Sequence, residues 1–588
     1  MYQSIQKISF CILVMLGLFL PTHSVQAEES TFQPVVIASF SGYDNFWDSI
    51  EKIADLIGYK DSVVATRSIA ADVQGLDKSA PIGFLLMTDG DSLLPFGFLP
   101  IKSLDELEFI GSEDLKADIE KTEDGTFLEI NSIKLELLEK EGWLFVFEPG
   151  KADEIPAGNP VDLLENLNQD YLLAVKMYGQ NIPRELIDNL LAPVRQEMAK
   201  ADSEQANIFD FQMNYFFDVF GEFQSIITGL NINAESGDLE LNFSIVPVQG
   251  SIMSSSFKEM SKGRKTQWAH FFDPSQSVFT GISSGILDER HHNYLKEYYG
   301  MTFETVFSKL DEIQEAEMDE ESEAKVKQIL EKVQEFTNSC LENKTIDFAF
   351  SLTNEPQILV GATIKNGQAL LDILKIGISI LENTNADFAK KYIKLASGMF
   401  KGYTVSSFSF PFADIEEYDE NANVPESFID KQAAVIIAIK DDALIFVAGL
   451  DKKSVSDKFK SLAKHKRTET EIPKRYIVSS FENLGKVLNN LITEQTPEVA
   501  AILNTMSEAG PDAICYAELV TISESEFVVK EVINGQNFVM IGDIIRGIFE
   551  TTNDDESEDF EDEEILFDDE ETNDEETEDV EIEEESAE

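Results

Sequence analysis

Short apolar runs, joined in pairs by polar turns, restrict this chain more than any other feature. Val435 to Ile439 and Leu444 to Val447 flank Lys440-Asp441-Asp442, and Phe348 to Leu352 and Ile358 to Ile364 flank Asn354-Glu355-Pro356. Leu230 to Ala234 and Leu239 to Val246 flank Ser236-Gly237, and Ile514 to Val520 leads into Phe527 to Ile533. Runs of this length with turn residues between them read as β-hairpins, so the sheets they build are largely antiparallel. The Lys440-Asp441-Asp442 break also removes Ala433 to Leu450 as a membrane span, because charge at the centre of a span is costly. No later segment spans a membrane.

Helical spacing fills much of the remainder. Phe46 to Ile57, a short segment from Leu104 to Ile110, Val161 to Leu167, the segment opened by Pro183 and Ile208 to Ile227 read as helices in the first half. Proline suits a first helical position, where its missing N–H has no partner to lose. Further strands are expected at Val35 to Ser39, Gly83 to Met87, Phe127 to Ile130, Trp143 to Phe147 and Tyr171 to Met177. In the second half, helices are expected between His291 and Leu341, at Leu370 to Leu381, at Val455 to Lys464, at Phe481 to Ile492 and at Pro497 to Met506. Strands are expected there at Val278 to Thr280, Thr404 to Phe410 and Tyr476 to Ser479. The apolar stretch Leu93 to Pro100, punctuated by Pro95, Gly97 and Pro100, reads as a loop, either lining a groove or packed on the core.

The order of elements recurs. Gly142 to Phe147 matches Asp442 to Val447, and Tyr171 to Val175 matches Tyr476 to Ser480; each half closes with a hairpin. Either the chain is duplicated, or this is the order that any α+β chain yields. The fold expected is α+β: two similar modules of mainly antiparallel sheet with helices packed on one face, plus a disordered acidic C-terminal tail. The boundaries are a signal peptide at 1–27, a first module at 28–250, a linker at 251–277, a second module at 278–548 and the tail at 549–588.

Residues 1–27 combine Lys7, an uncharged apolar run from Ile8 to Leu20, the helix breaker Pro21 and Val25-Gln26-Ala27. That is the anatomy of a secretory signal, with a mature start at Glu28. An uncleaved anchor is the other reading. A lipid anchor is disfavoured, since Cys11 lies inside the apolar run. An exported, periplasmic or extracellular location follows. The net charge is −64, and residues 551–588 hold 23 acidic side chains with no Lys or Arg; the rest of the chain is still at −41. Such a field repels a phosphate backbone and an anionic membrane surface, so no nucleic acid partner is expected.

Two cysteines follow the signal, Cys340 and Cys515. Outside the cytoplasm they are either one disulfide or two buried free thiols. Gly281-Ile282-Ser283-Ser284-Gly285 fits the G-x-S-x-G pattern of a nucleophile elbow, but no later histidine is placed as its base, and a Gly/Ser turn is the simpler reading. His270, His291, His292 and His465 lack metal-ligand spacing. Asp311 to Glu323 and the tail lack the calcium-loop pattern; the tail is expected at most to gather divalent cations loosely. No cofactor, metal or catalytic residue is expected.

A segment as charged as the tail has too little apolar area to fold alone. It serves either as a solubilising brush or, through Ile565-Leu566-Phe567, Val580 and Ile582, as a docking segment. Lys452, Lys453, Lys458, Lys460, Lys464, Lys466 and Arg467 form the one concentrated basic stretch, a candidate dock for the tail.

Three stretches carry a family resemblance: Gly83-Phe84-Leu85-Leu86 leading to Leu94 through Pro100, Asn181-Ile182-Pro183 with its helix, and Leu239 to Pro247 running into Gly250-Ser251. They resemble a group of large, uncharacterised exported proteins from planctomycete-type bacteria, over residues 80–260. The long acidic tail departs from that group. The resemblance implies an envelope location and no assigned activity. The expected role is binding or structural, toward an envelope protein or polymer; a hydrolase built from scattered carboxylates is the alternative.

Overall fold

The computed structural model describes residues 32–555, apart from 71–74, 91, 105–116, 124, 131–132, 202, 263, 314–319, 418–425 and 493–494. The export segment, nearly all of the helix expected at Leu104 to Ile110, and the chain beyond residue 555 lie outside the described residues.

The first half runs β1 (Gln33–Phe40), α1 (Tyr43–Ile57), α2 (Lys60–Ala70), β2 (Ile82–Thr88), β3 (Leu93–Pro100), β4 (Ala117–Thr122), β5 (Gly125–Ile130), β6 (Ile133–Lys140) and β7 (Trp143–Phe147). It continues with α3 (Leu167–Asp170), β8 (Leu173–Met177), α4 (Arg184–Ala201), α5 (Ser203–Phe220), β9 (Phe223–Ile232), β10 (Leu239–Pro247) and α6 (Ile252–Ser261). After the short β11 (Lys265–Thr266) come β12 (Ser277–Ile286), α7 (Glu289–Ile313), α8 (Glu320–Glu342), β13 (Thr345–Thr353), β14 (Gln357–Thr363), α9 (Gly367–Thr384), α10 (Ala386–Tyr392), β15 (Ile393–Phe400) and β16 (Tyr403–Pro411). Then follow α11 (Glu426–Ile429), β17 (Gln432–Lys440), β18 (Ala443–Gly449), α12 (Lys452–Lys464), β19 (Thr470–Glu471), β20 (Arg475–Ser480), α13 (Phe481–Leu491), α14 (Pro497–Glu508), β21 (Ile514–Ile522), β22 (Phe527–Ile533) and α15 (Gly535–Asp555).

All strands except the β11–β19 pair belong to one 20-stranded sheet, and every pairing in it is antiparallel. Side by side, the strands run β4-β5-β6-β7-β3-β2-β1-β8-β9-β10, then β22-β21-β20-β12-β13-β14-β18-β17-β16-β15. Each half thus contributes ten strands, and the two sets read identically outward from the β10–β22 junction. The correspondence reaches single residues. Val36 lies between Leu86 and Met177, just past a bulge at Pro34; Phe279 lies between Leu352 and Ser479, just past a bulge at Ser277. Four residues beyond Met177, the Asn181 amide donates to the Pro34 carbonyl at 2.7 Å, and four beyond Ser479, Asn483 donates to the Ser277 carbonyl at 2.9 Å. At the junction, Asn242 sits opposite Lys530, and equivalent residues lie at equal distances on either side of that pair.

The four expected hairpins form. Phe147 and Val447 occupy equivalent places, so that match stands in register. Tyr171 to Val175 and Tyr476 to Ser480 lie on equivalent strands, but out of register: Met177 corresponds to Ser479, which aligns Tyr171 with Pro473.

Several expectations are corrected. Leu93 to Pro100 is the inner strand β3, not a loop. The helix expected through Ile227 stops at Phe220, and Ile226 and Ile227 belong to β9. Val161 to Leu167 is mostly a 3-10 turn, Pro160–Leu164. Residues 251–277 are no linker, since they hold α6 and the fully buried Trp268 and Phe271. α15 carries the chain past residue 549, where the tail was placed.

Helices sit on both faces of the sheet rather than one. Alternate residues of a strand point to opposite faces, and the registers carry that assignment across all twenty strands. One face holds Ile37, Leu85, Phe96, Phe98, Phe145 and Phe147 under Leu164 and Leu167. In the second half it holds Ile282, Ala349, Leu359, Ile445 and Val447 under Trp268, Phe271 and the α12 side chains Val455, Phe459 and Leu462. The other face carries α6 through Met253 and Phe257, and α8 and α9 through Phe336 and Leu371.

Candidate functional site: an open apolar sheet face

The histidines and serines singled out in the sequence do not converge on a reaction centre. Gly281 to Gly285 lies within β12 rather than at a strand–helix turn, so there is no nucleophile elbow; Ser284 Oγ donates to the Lys265 carbonyl at 2.7 Å. Asp288 caps α7: its Oδ1 accepts the backbone N–H groups of Arg290 at 2.9 Å and His291 at 3.0 Å. Its Oδ2 accepts Ser256 Oγ at 2.8 Å and contacts the His291 ring nitrogen. Burial pushes this carboxyl up, but the hydrogen bonds from His291 and Ser256 outweigh it, and its pKa ends below the ordinary value. The carboxylate stands between serine and imidazole, whereas a serine nucleophile needs the imidazole in the middle. Arg290 closes the corner on Glu222 at 2.5 Å.

His270 and His465 stack with ring centroids 5.0 Å apart. Burial, then the neighbouring His465, lowers the His270 pKa to about 4. Cys340 and Cys515 are free thiols, so the disulfide alternative is dropped. Cys340, on α8, packs beside Ile439 of β17, and Cys515 is on β21, six strands away. At ~4.8 Å per strand that is about 30 Å, against a limit of about 7 Å between bridged Cα atoms. Burial raises both thiol pKa values.

Part of the acidic stretch Asp311 to Glu323 lies outside the described residues, and among the described residues no three His, Cys, Asp or Glu side chains gather for a metal. A shallow cavity of about 320 Å³ lies among Gln33, Thr88, Asp89, Gln180 and Asn181. The basic stretch forms the outer side of α12, with Lys466 just beyond it. Arg467 turns away, pairing with Asp442 at 2.5 Å and lying 5.8 Å over the Trp268 ring.

The larger feature is the contrast between the faces of the sheet. On the face of Ile37 and Ile282, Leu85, Phe96, Phe98, Leu359, Ile445 and Val447 are almost wholly buried, although Ile286 at the end of β12 is 72% exposed. On the opposite face, Val175, Leu241, Phe243, Phe279, Ile346, Ile358 and Ile533 remain 36–50% exposed. All seven take that face by register. Columns of apolar neighbours run on this face within each half: Phe40, Leu173, Leu230 and Leu241 across β1, β8, β9 and β10, and Phe350, Val360, Phe446 and Ile437 across β13, β14, β18 and β17, the last beneath α8 and α9. Phe279 and Phe350 pack at 5.2 Å. Single exposed apolar side chains are ordinary, whereas a connected set on one face marks an interaction surface. Alternation alone could not reveal this face, because an exposed Leu241 and a buried Ile37 follow the same pattern.

Among the described residues, no helix is long and apolar enough to cross a membrane. No protein-family model, curated protein or solved structure matches the chain.

Proposed function

We propose that this is an exported envelope or periplasmic protein that works by binding, with the open face of its sheet as the binding surface. The observation that carries the reading is the set of half-exposed apolar side chains on one face of both halves, Val175, Leu241 and Phe243 in the first and Phe279, Ile346 and Ile358 in the second. The ligand class this favours is a neutral apolar molecule, or an apolar segment of an envelope protein or polymer. Anionic surfaces fit poorly with a net charge of −64. Export rests on the signal-like opening and on the resemblance to exported planctomycete-type proteins. The shared bulge, the paired Asn181 and Asn483 contacts and the common strand order support an internal duplication, so binding surface is presented twice about the β10–β22 junction.

A hydrolase would require a carboxylic acid kept protonated by its surroundings. Among the described residues, each carboxyl group with a displaced pKa is displaced downward, at Asp288, Glu289, Glu335, Asp372, Asp414 and Glu498. Binding is therefore the better supported reading.

Titrating the mature chain with the neutral apolar dye Nile red tests it. Fluorescence should rise with the wild type and fall for Phe243→Asp and Ile358→Asp, while Ile286→Asp, 72% exposed on the face of Ile282, leaves it unchanged. Equal loss in all three variants, or no response in the wild type, rejects the open face. N-terminal sequencing of the native protein should begin at Glu28; a start at Met1 rejects export by cleavage.

A further inference from the structure

A chain with 110 acidic and 46 basic side chains should leave few cations without a partner. α12 runs against that expectation. Val455, Phe459, Leu462 and Ala463 bury its inner side, which turns its lysines outward. Lys453, Lys460 and Lys464 fall on one stripe at helical spacing. Lys460 pairs with Asp457 at 3.5 Å, but among the described residues no carboxylate lies at ion-pair distance from Lys452, Lys453, Lys458, Lys464 or Lys466. The patch extends beyond the helix. Phe400 packs on Phe459 at 5.6 Å, which brings the adjoining Lys401 alongside, and Lys440 lies 4.1 Å over the Tyr403 ring.

We propose that this patch is the docking surface for the chain's own acidic end, residues 556–588. That segment carries 21 acidic side chains and no basic one among its 33 residues. Its long acidic runs match a row of lysines in charge. The tether decides between occupants. A free polyanion or a second copy must overcome the repulsion of the whole acidic body, whereas a covalently attached segment is held at millimolar effective concentration. Its reach is sufficient. From β22 to β18 beneath α12 is six strands, about 30 Å; α15, whose end starts the segment, adds at most ~32 Å, and 33 residues extend to ~110 Å. Contacts of this kind weaken as salt shortens the Debye length.

The test is zero-length carbodiimide cross-linking of the full chain, mapped by mass spectrometry, with labelled and unlabelled protein mixed equally. The expected result is links from Lys453, Lys460 or Lys464 to carboxylates of residues 556–588, within one chain, present at low salt and lost at high salt. The combined Lys453→Glu, Lys460→Glu, Lys464→Glu variant should lose them while keeping its circular dichroism. As a second readout on unsubstituted protein, deleting residues 556–588 should raise the amine reactivity of these lysines. Tail links that fall elsewhere on the body, or that join labelled to unlabelled chains, overturn the proposal, as does amine reactivity unchanged by the deletion.

Discussion

The Asp347 carboxylate is buried and accepts Thr266 Oγ1 at 2.6 Å, the Gln267 backbone N–H at 3.1 Å and Thr363 Oγ1 at 3.2 Å. Trp268 Nε1 in turn donates to Thr363 Oγ1 at 3.0 Å. This network pins the supposed linker onto β13 and β14. Asp347→Ala strands three donors in a dry layer, and denaturant unfolding should show a loss of about 3 kcal/mol. Charge matters differently at His270. Its folded pKa is about 4 against an ordinary 6.5, so folding favours the neutral ring. Between those values the unfolded chain binds a proton that the folded chain refuses, so stability falls as pH drops through that window and levels off below it. The wild type should therefore lose stability relative to His270→Gln between pH 6.5 and about 4, read as a shift in denaturant midpoint. Neither role was legible in the sequence, because each depends on a neighbour far along the chain.

Elements were legible where their signals are local. The hairpins around Lys440-Asp441-Asp442 and Ser236-Gly237 follow from period-two runs and turn chemistry, and both form. β3 was missed because Pro95 and Pro100 argue against an inner strand. The structure accommodates them at ladder ends: Pro95 lies beyond the β3–β7 pairing and Pro100 beyond the β2–β3 pairing, so each has one flank without a partner strand. Helix docking also turns on backbone contact. A Cβ at Gly542 of α15 would stand 2.6 Å from the Ile57 carbonyl oxygen at the end of α1, while a Cβ at Gly300 of α7 would meet nothing within 4 Å. Gly542→Ala should cost about 1–2 kcal/mol through overpacking, and Gly300→Ala should stabilise by about 0.5–1 kcal/mol through helix propensity. Thermal or chemical unfolding of the two variants separates the effects.

At the scale of the whole molecule, a net charge of −64, of which −41 lies outside residues 551–588, makes self-repulsion a standing load on the folded state. Raising ionic strength from about 0.01 M to 0.15 M shortens the screening length from ~30 Å to ~8 Å. The melting temperature should therefore rise by several degrees over that range; a flat or falling profile in calorimetry would refute the repulsion argument. The sequence by itself determined the class of elements, their antiparallel pairing within hairpins and the repeated order, since periodicity and turns act over a few residues. It could not determine that β10 joins β22 and makes one sheet of two modules, nor which stretches of each face the helices cover. Those outcomes depend on pairings between residues hundreds of positions apart. Leu241 and Ile37 obey the same local pattern, and only the layers packed above them decide that one is exposed and the other buried.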